Sequence, residues 1–328
     1  MRWRFGLTCA LAASLVQLVA CGGDGRDMTE PEAFTLVVLP DTQYYAESYP
    51  AILQAQAQWI EEEADTRQII GVLHVGDVTD DNSQEQWQAA SNALLPLIDV
   101  VPLVLALGNH DYGINGSAID RTTLAHDFFP VERITAQPTF GGSYERSRID
   151  NTYSVLETPE GPWLVLSLEF GPRDEVIDWA NEVVAQHEDM PIIVLTHAYL
   201  YSDDTRYDWA AKGEGQRWSP HSYLLASLAP VNDGQAIFDK LVRPHEQIDL
   251  VLCGHVLNDG VARLMSTQDA GGVVHEILAN YQMNDMGGEG FLRLIEFREG
   301  SAEVQVLTYS PWLNEYKVDA DNQFTLLR

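Results

Sequence analysis

Five short apolar runs in this chain each stop at a residue able to bind a metal ion or move a proton. That recurrence constrains the fold more than any other feature. Phe34 to Leu39 is followed by Pro40-Asp41-Thr42-Gln43, and Ile69 to Val75 by Gly76-Asp77. Val100 to Leu107 runs into Gly108-Asn109-His110-Asp111, Ile192 to Leu195 into Thr196-His197, and Ile248 to Leu252 into Cys253-Gly254-His255. Short runs rich in Val, Ile and Leu and bounded by Gly or Pro read as buried strands. Ligands of an open α/β sheet sit at the carboxyl ends of its strands, so these five ends are expected along one edge.

Between the first runs lie helical patterns. Pro50 opens AILQAQAQWIEEEA, with Ile52, Ala55, Trp59 and Ile60 on one face, and Ser83 is placed to cap a helix reaching about Ile98. Strand–helix–strand units repeating at about 30 to 36 residues are the signature of right-handed crossovers. Thr152 to Leu156 and Trp163 to Leu168 read as a hairpin, and Asp174 to Gln186 and Gln235 to Val242 as helices. Val273 to Leu278, Phe291 to Phe297 and Glu303 to Tyr309 alternate, which predicts strands of a second sheet. Residues 112–150 and 198–233 have no period and read as insertions. The fold class that fits is α/β, a four-layer αββα sandwich of two mixed sheets flanked by helices, spanning residues 34–328.

Taken together, Asp41, Asp77, Asn109, His197 and His255 offer two carboxylates, one amide oxygen and two imidazoles. This mixed oxygen and nitrogen set suits Mn, Fe or Zn rather than Ca or Mg. A carboxylate bridging two ions about 3.5–4 Å apart is a common device of phosphoester hydrolysis. Singly, each residue has a simpler reading as turn chemistry; as a set of five they do not.

The order and context of these residues resemble the calcineurin-like metallophosphoesterase family, whose pattern is Asp-x-His, Gly-Asp-x-x-Asp, Gly-Asn-His-Asp/Glu, a lone His after a strand, then Gly-His-x-His. The matching stretches are Asp41-Thr42-Gln43, Gly76-Asp77-Val78-Thr79-Asp80, Gly108-Asn109-His110-Asp111, Thr196-His197 and Gly254-His255-Val256-Leu257. The Asp-Thr-Gln form resembles a bacterial exported subgroup. The resemblance implies that Asp77 bridges two divalent ions and that Asn109, His197 and His255 complete the second site. Asp41 and Gln43 would serve the first, where Gln43 and Leu257 stand in place of histidines; Asn258, Asp259 or a later polar residue is a possible substitute. It further implies that a metal-bound water or hydroxide attacks phosphorus in line, with His110 facing the scissile phosphate and protonating the leaving oxygen or stabilising the transition state. Asp111 is expected to orient His110 and favour its charged form.

Weaker candidates are Asn280-Tyr281-Gln282 after a strand-like run, His221 and Arg206 in the second insertion, and Tyr44 and Tyr45 as an aromatic wall. On base rates Arg206 pairs a nearby acid and His221 lies at the surface. Cys253 reads as buried packing.

The first 33 residues stand apart from the fold. Arg2 and Arg4 precede an apolar run to Ala20, a secretory signal by charge and length. Leu18-Val19-Ala20-Cys21 resembles a bacterial lipobox, so residues 1–20 are expected to be a lipoprotein signal peptide and 21–33 a flexible tether. Gly22 and Gly23 follow Cys21 without an Asp, which favours the outer membrane or cell surface. With Cys9 and Cys21 so used, Cys253 is left alone and no disulfide framework is expected. A formal charge of −30 argues against non-specific nucleic-acid binding, and membrane contact is expected only through lipid on Cys21.

The expected function is an exported phosphoesterase acting on a phosphorylated small molecule, lipid head group or polymer. The aromatic insertions tilt the choice between monoester and diester towards the diester. Two rivals remain: a metal-binding module without hydrolysis, and a mononuclear hydrolase of a non-phosphate bond.

Overall fold

The computed structural model describes residues 32–328. The signal peptide, Cys21 and nearly all of the tether expected at the N-terminus lie outside these residues. The first sheet is built on three parallel strands, β1 (Ala33–Leu39), β2 (Ile69–His74) and β3 (Leu103–Leu105). The second sheet contains β4 (Phe140–Ser143), β5 (Thr152–Thr158), β6 (Gly161–Ser167), β7 (Ile192–Leu195), β8 (Ile248–Cys253), β9 (Val261–Thr267) and β10 (Val273–Ala279). Its order is β9-β10-β8-β7-β6-β5-β4, with β6, β7, β8 and β10 parallel.

Four later strands, β11 (Leu292–Arg298), β12 (Glu303–Ser310), β13 (Glu315–Lys317) and β14 (Phe324–Leu327), return to the first sheet. There β11 lies antiparallel against β1, pairing Phe34 with Phe297 and Leu36 with Ile295. The expectation that the C-terminal alternating runs form one sheet is therefore corrected. The run at 273–279 extends the second sheet beside β8, while 292–310 closes the free edge of β1. Alternation reports which faces are buried, and both sheets bury theirs alike, so the pattern carried no partner information.

The layers follow from the strand pleat. Phe34, Leu36 and Val38 point inward with Leu73, Val75 and Val104, meeting Val165, Ile193, Leu195, Leu250 and Leu252 of the second sheet. The alternate residues Val37, Leu39, Val72, Leu103 and Leu105 face outward onto helices α1 (Gln43–Ser48), α2 (Pro50–Glu63) and α3 (Gln84–Leu94). Leu164, Leu166, Ile192 and Val194 face outward in the same way beside α4 (Asp174–Ala185). Strands covered on both faces need apolar residues at every position, which is why they read as continuous runs rather than alternation. The αββα sandwich expected from the sequence is the fold observed.

Boundaries moved where the backbone had other partners. Ser83 caps α3 by accepting from the Gln86 amide, but a tighter turn over Leu95–Asp99 follows, and the amides of Val100 and Val101 both donate to Leu97 O at 2.8 Å. Pro102 has no N–H to donate, so the third strand begins at Leu103 rather than Val100. On α2 the buried face is Ile52, Leu53, Gln56, Ala57 and Ile60, turned from the expected stripe so that Ala55 and Trp59 lie at its margin. The first insertion holds short helical turns and, contrary to its reading as aperiodic throughout, the edge strand β4, while the second holds turns and the small hairpin Leu200–Tyr201 with Thr205–Arg206. They meet where the Leu225 amide donates to Ala118 O at 3.1 Å.

Leu73 is fully buried between the sheets. Leu73→Ala is expected to lower unfolding free energy by about 2–5 kcal/mol, measured by urea denaturation. Val318→Ala, at a residue 75 % exposed, is expected to stay within about 0.5 kcal/mol of the parent.

Candidate active site

Six parallel strands, three from each sheet, deliver their carboxyl ends to one edge of the sandwich. Asp41 follows β1, Asp77 follows β2, Asn109 follows β3, His197 follows β7, His255 follows β8 and Asn280 follows β10. All six side chains are buried. The glycines that precede three of them are required by close approach. A Cβ on Gly108 would collide with the Asp77 side chain and amide, and one on Gly254 would collide with the Asp41 carboxylate. Asp77 (φ 50°) and His255 (φ 77°) both occupy the left-handed region that side chains rarely adopt, a strain that packed functional sites hold in place.

Asp77, His197 and His255 present ligand atoms that all lie within 4.8 Å of one another. His197 Nε2 is 3.1 Å from Asp77 Oδ2, and His255 Nδ1 is 3.1 Å from His197 Nε2. The opposite ring nitrogens are anchored on backbone carbonyls, His197 Nδ1 on Val75 O at 2.9 Å and His255 Nε2 on Trp218 O at 2.8 Å. A carbonyl accepts only, so each anchored nitrogen is the N–H donor. His197 Nε2 and His255 Nδ1 are thus the nitrogens that face the cluster, His197 Nε2 sharing a proton with Asp77 that a bound metal ion would displace.

Charge in this cluster is poorly compensated. Burial and the adjacent Asp77 charge push the Asp41 carboxyl up to about 8, against the attraction of His197. Burial opposes ionisation of Asp77 too, but His197, His110 and His255 hold its carboxyl well below the usual range. His197 is lifted to about 9 despite burial, by Asp77 and Asp41. Burial and the His197 charge depress His255 to about 3. Protons on His197 and Asp41 thus offset the buried negative charge near neutral pH, a task that bound divalent cations would take over. Asn109 Oδ1, in a side chain 2 % exposed, has no hydrogen-bond partner. Buried polar atoms are rarely left so, and a carbonyl oxygen beside two imidazoles and a carboxylate fits a borderline divalent ion.

Asp41 is held by its neighbours from the second sheet. Its carboxylate accepts from the His255 amide at 3.0 and 3.2 Å and from Asn280 Nδ2 at 3.0 Å. Gln43 Nε2 donates to Asp80 Oδ1 at 2.8 Å, leaving Gln43 Oε1 buried and unpaired.

His110 stands at the rim, its side chain 34 % exposed. Its amide donates to Asp77 Oδ1 at 2.9 Å, and its Nδ1 lies 2.7 Å from Asp80 O and 3.5 Å from Asp80 Oδ1. Burial lowers the His110 pKa, but Asp77 and Asp80 outweigh it and raise the pKa above the ordinary value.

The expected partnership of His110 with Asp111 is not what the structure holds. Asp111 is fully buried, and its carboxylate accepts from the amides of Val78, Thr79 and Gly108 and from Thr79 Oγ1 at 2.9–3.1 Å. Those donors consume its oxygens, so Asp111 ties the loops after β2 and β3 together while Asp80 faces the imidazole. Asp80 lies in the same motif, three residues after Asp77, but sequence spacing did not show which of the two acids turned towards the ring.

An open cleft of about 110 Å³ exposes the cluster, lined by Gln43, Tyr44, Asp77, Asn109, His110, Trp218, Tyr223, His255, Leu257 and Gln282. Trp218 and Tyr223 come from the second insertion. Trp218 sits at φ 63°, and its carbonyl anchors His255. A backbone carbonyl on an aperiodic loop leaves no signal in sequence. Another residue the sequence did not single out is His74, fully buried, which lies 2.9 Å from Thr42 Oγ1 and accepts from the Gly76 amide.

The remaining candidates lie elsewhere. Arg206 forms a two-pronged pair with Glu276 at 2.6 and 2.7 Å and stacks on Phe238, so it is committed to packing. His221 stacks on Trp209 and faces Asp233 at 3.5 Å. Tyr44 lines the cleft, whereas the Tyr45 hydroxyl is buried and accepts from the Gly290 amide. Cys253 is a buried free thiol.

These shifts carry a sign. A raised histidine pKa stabilises the fold below its unfolded value near 6.5, and that stability is lost as pH rises through about 9. The fold favours the neutral acid of Asp41, so its contribution also falls as pH climbs towards about 8. The opposite shift of Asp77 acts only below the ordinary carboxylate range, outside this window. Chelated protein is expected to melt at lower temperature at pH 9 than at pH 6.5, and saturating divalent ion to remove most of the difference. Equal melting temperatures in chelator would contradict the charge assignment.

Residues 34–259 match the family model described as calcineurin-like phosphoesterase. The "Uncharacterized protein YvnB" of Bacillus subtilis (strain 168) is 30% identical over 291 residues, which is 87% of this chain and 20% of that protein. The chain thus spans about a fifth of that relative's length. Among solved structures, purple acid phosphatase PPD1 from yellow lupin (Lupinus luteus) seeds aligns with a TM-score of 0.52 at 14% identity, over 91% of this chain and 54% of that one. GAP50, the anchor in the inner membrane complex of Plasmodium, aligns with a TM-score of 0.47 at 12% identity, over 90% and 88%. The family match over most of the chain carries the assignment: this protein belongs to the calcineurin-like phosphoesterase family.

Proposed function

We propose that this chain is an exported, lipid-anchored, metal-dependent phosphoesterase that cleaves a phosphodiester in preference to a phosphomonoester. The observation that carries the reading is the convergence of Asp77, His197 and His255, with each imidazole anchored on a backbone carbonyl through one nitrogen and turning the other into the cluster. Asp77, Asn109, His197 and His255 would hold one divalent ion, and Asp41, Asp77 and Gln43 would contribute to a second. Ions bound there supply Lewis acidity towards phosphoryl oxygens and lower the pKa of a coordinated water.

The chain's own groups then have definite tasks. His110 Nδ1 is engaged by Asp80, so the rim imidazole offers Nε2–H to an oxygen of the substrate. Its raised pKa keeps it a proton donor near neutral pH. Asp80 is a positioning residue, holding the ring through its carbonyl and Gln43 through its carboxylate. Tyr44, Trp218 and Tyr223 wall the cleft. That wall suits an organic substituent on phosphate, a lipid head group or polymer unit as much as a small ester, and motivates the diester. Export rests on the N-terminal charge and apolar run with Cys21. The rival reading, a binding module without turnover, is motivated by Leu257 where the family pattern has histidine; His110, a proton donor with no use in a binder, weighs against it.

Turnover of bis(p-nitrophenyl) phosphate and p-nitrophenyl phosphate, with and without chelator, tests the proposal. Hydrolysis of the diester that chelator abolishes and added ion restores is expected. Bound metal with neither ester cleaved would favour the binder or a non-phosphate bond. His110→Asn is expected to lower kcat by about 10²–10⁴ with metal content unchanged. Asp80→Asn removes a group that raises the His110 pKa, so the alkaline limb of the kcat profile is expected to move to lower pH. An unmoved limb would remove Asp80 from this role.

A further inference from the structure

The first metal position lacks two histidines of the family pattern, and the structure assigns it a different donor. We propose that Gln282 supplies the missing ligand through Oε1, making the first centre an all-oxygen site for a hard divalent cation. The second, imidazole-containing centre then takes a borderline ion. This inference rests on the phosphoesterase reading for the existence of the second centre.

Elimination narrows the choice. Leu257 lines the cleft but has no donor atom. Asn258 is exposed and donates to Ser202 Oγ at 2.7 Å, and the exposed Asp259 lines a separate depression with Asp204, Arg263 and Asp321. Neither neighbour in sequence reaches the cluster. The next strand end does. Asn280, after β10, donates Nδ2 to Asp41 Oδ2 at 3.0 Å, and its Oδ1 accepts from the Gln282 amide at 3.0 Å. The same amide side chain thus fixes the Asp41 carboxylate on one side and the Gln282 backbone on the other.

Gln282 is only 7 % exposed, lines the cleft beside Leu257, and leaves Oε1 without any hydrogen-bond partner. Gln43, 1 % exposed, lines the same cleft and leaves its Oε1 equally unpaired. Two buried amide oxygens without donors, beside a pair of carboxylates that repel each other, form an electronegative pocket that a cation satisfies. Asp41, Asp77, Gln43 and Gln282 contribute oxygen alone. Such a set favours Mg, Ca or Mn over ions that prefer nitrogen. The second centre keeps two imidazole nitrogens, so the two positions select different ions.

The experiment uses full chain stripped of metal, loaded with one equivalent of Zn²⁺ and titrated with Mn²⁺, free Mn²⁺ being read by electron paramagnetic resonance. The wild type is expected to bind one Mn²⁺ beyond the zinc. Gln282→Leu is expected to weaken Mn²⁺ binding by at least about tenfold while zinc stoichiometry stays unchanged. Gln282→Glu, which keeps an oxygen and adds charge, is expected to tighten it. Leu257→His added to Gln282→Leu is expected to restore a second ion as zinc rather than manganese. Mn²⁺ affinity within about twofold of wild type in both Gln282 variants would overturn the inference, as would Zn²⁺ bound with no Mn²⁺ in the wild type. Failure of the wild type to bind Zn²⁺ would instead sink the phosphoesterase reading beneath it. Circular dichroism of each variant checks the fold, and the Glu variant supplies the readout if the Leu variant fails to fold.

Discussion

The buried contact of Asp77 with His197, a carboxylate oxygen 3.1 Å from an imidazole nitrogen that also meets His255, is the constraint on which the rest of the site depends. It joins the end of a strand in one sheet to the end of a strand in the other. Burying such a pair costs desolvation, and removing one partner leaves the other charge uncompensated at about 3–5 kcal/mol. The sandwich tolerates it because the groups around it are fixed from behind: His197 by Val75 O, His255 by Trp218 O, and Asp41 by the His255 amide and Asn280. The interior between the sheets is apolar. Polar groups are gathered at the edge where strand ends splay apart and a cation can enter.

Much of this arrangement was legible in the chain. A strand covered on both faces has to be apolar throughout, so the runs before Asp41, Asp77, His197 and His255 announced themselves. The chain direction of parallel strands then placed their ends together. Close approach explained the glycines: Gly108 lies against Asp77 and Gly254 against Asp41 too tightly for a side chain. What the sequence concealed is specific. Partnering of β11 with β1 is a choice among equally apolar edges, and no periodicity encodes it. The orientation of His110 by Asp80 rather than Asp111 depends on a turn that spends the Asp111 oxygens on backbone amides. The anchor on His255 is a main-chain carbonyl, for which residue type says nothing.

The second insertion reads differently once placed. It looked like a substrate loop because of its aromatic content, and part of it lines the cleft, through Trp218 and Tyr223. Much of the rest is structural. Tyr207 is buried and Arg206 is locked to Glu276 beneath it. Phe170, Tyr207 and Tyr223 surround the His255 ring at 5.5, 5.9 and 6.3 Å. That aromatic collar buries most of the imidazole, which strengthens its preference for the neutral form.

The central claim is that the strand-end cluster is a divalent metal centre. Its most direct test is the number of divalent ions per chain, by elemental analysis of full chain purified without chelator, for wild type and Asp77→Asn. The account predicts about two ions in the wild type, as two-metal phosphoester hydrolysis requires, falling below one when the shared carboxylate is neutralised. A metal-free wild type, or an ion content untouched by Asp77→Asn, would contradict it.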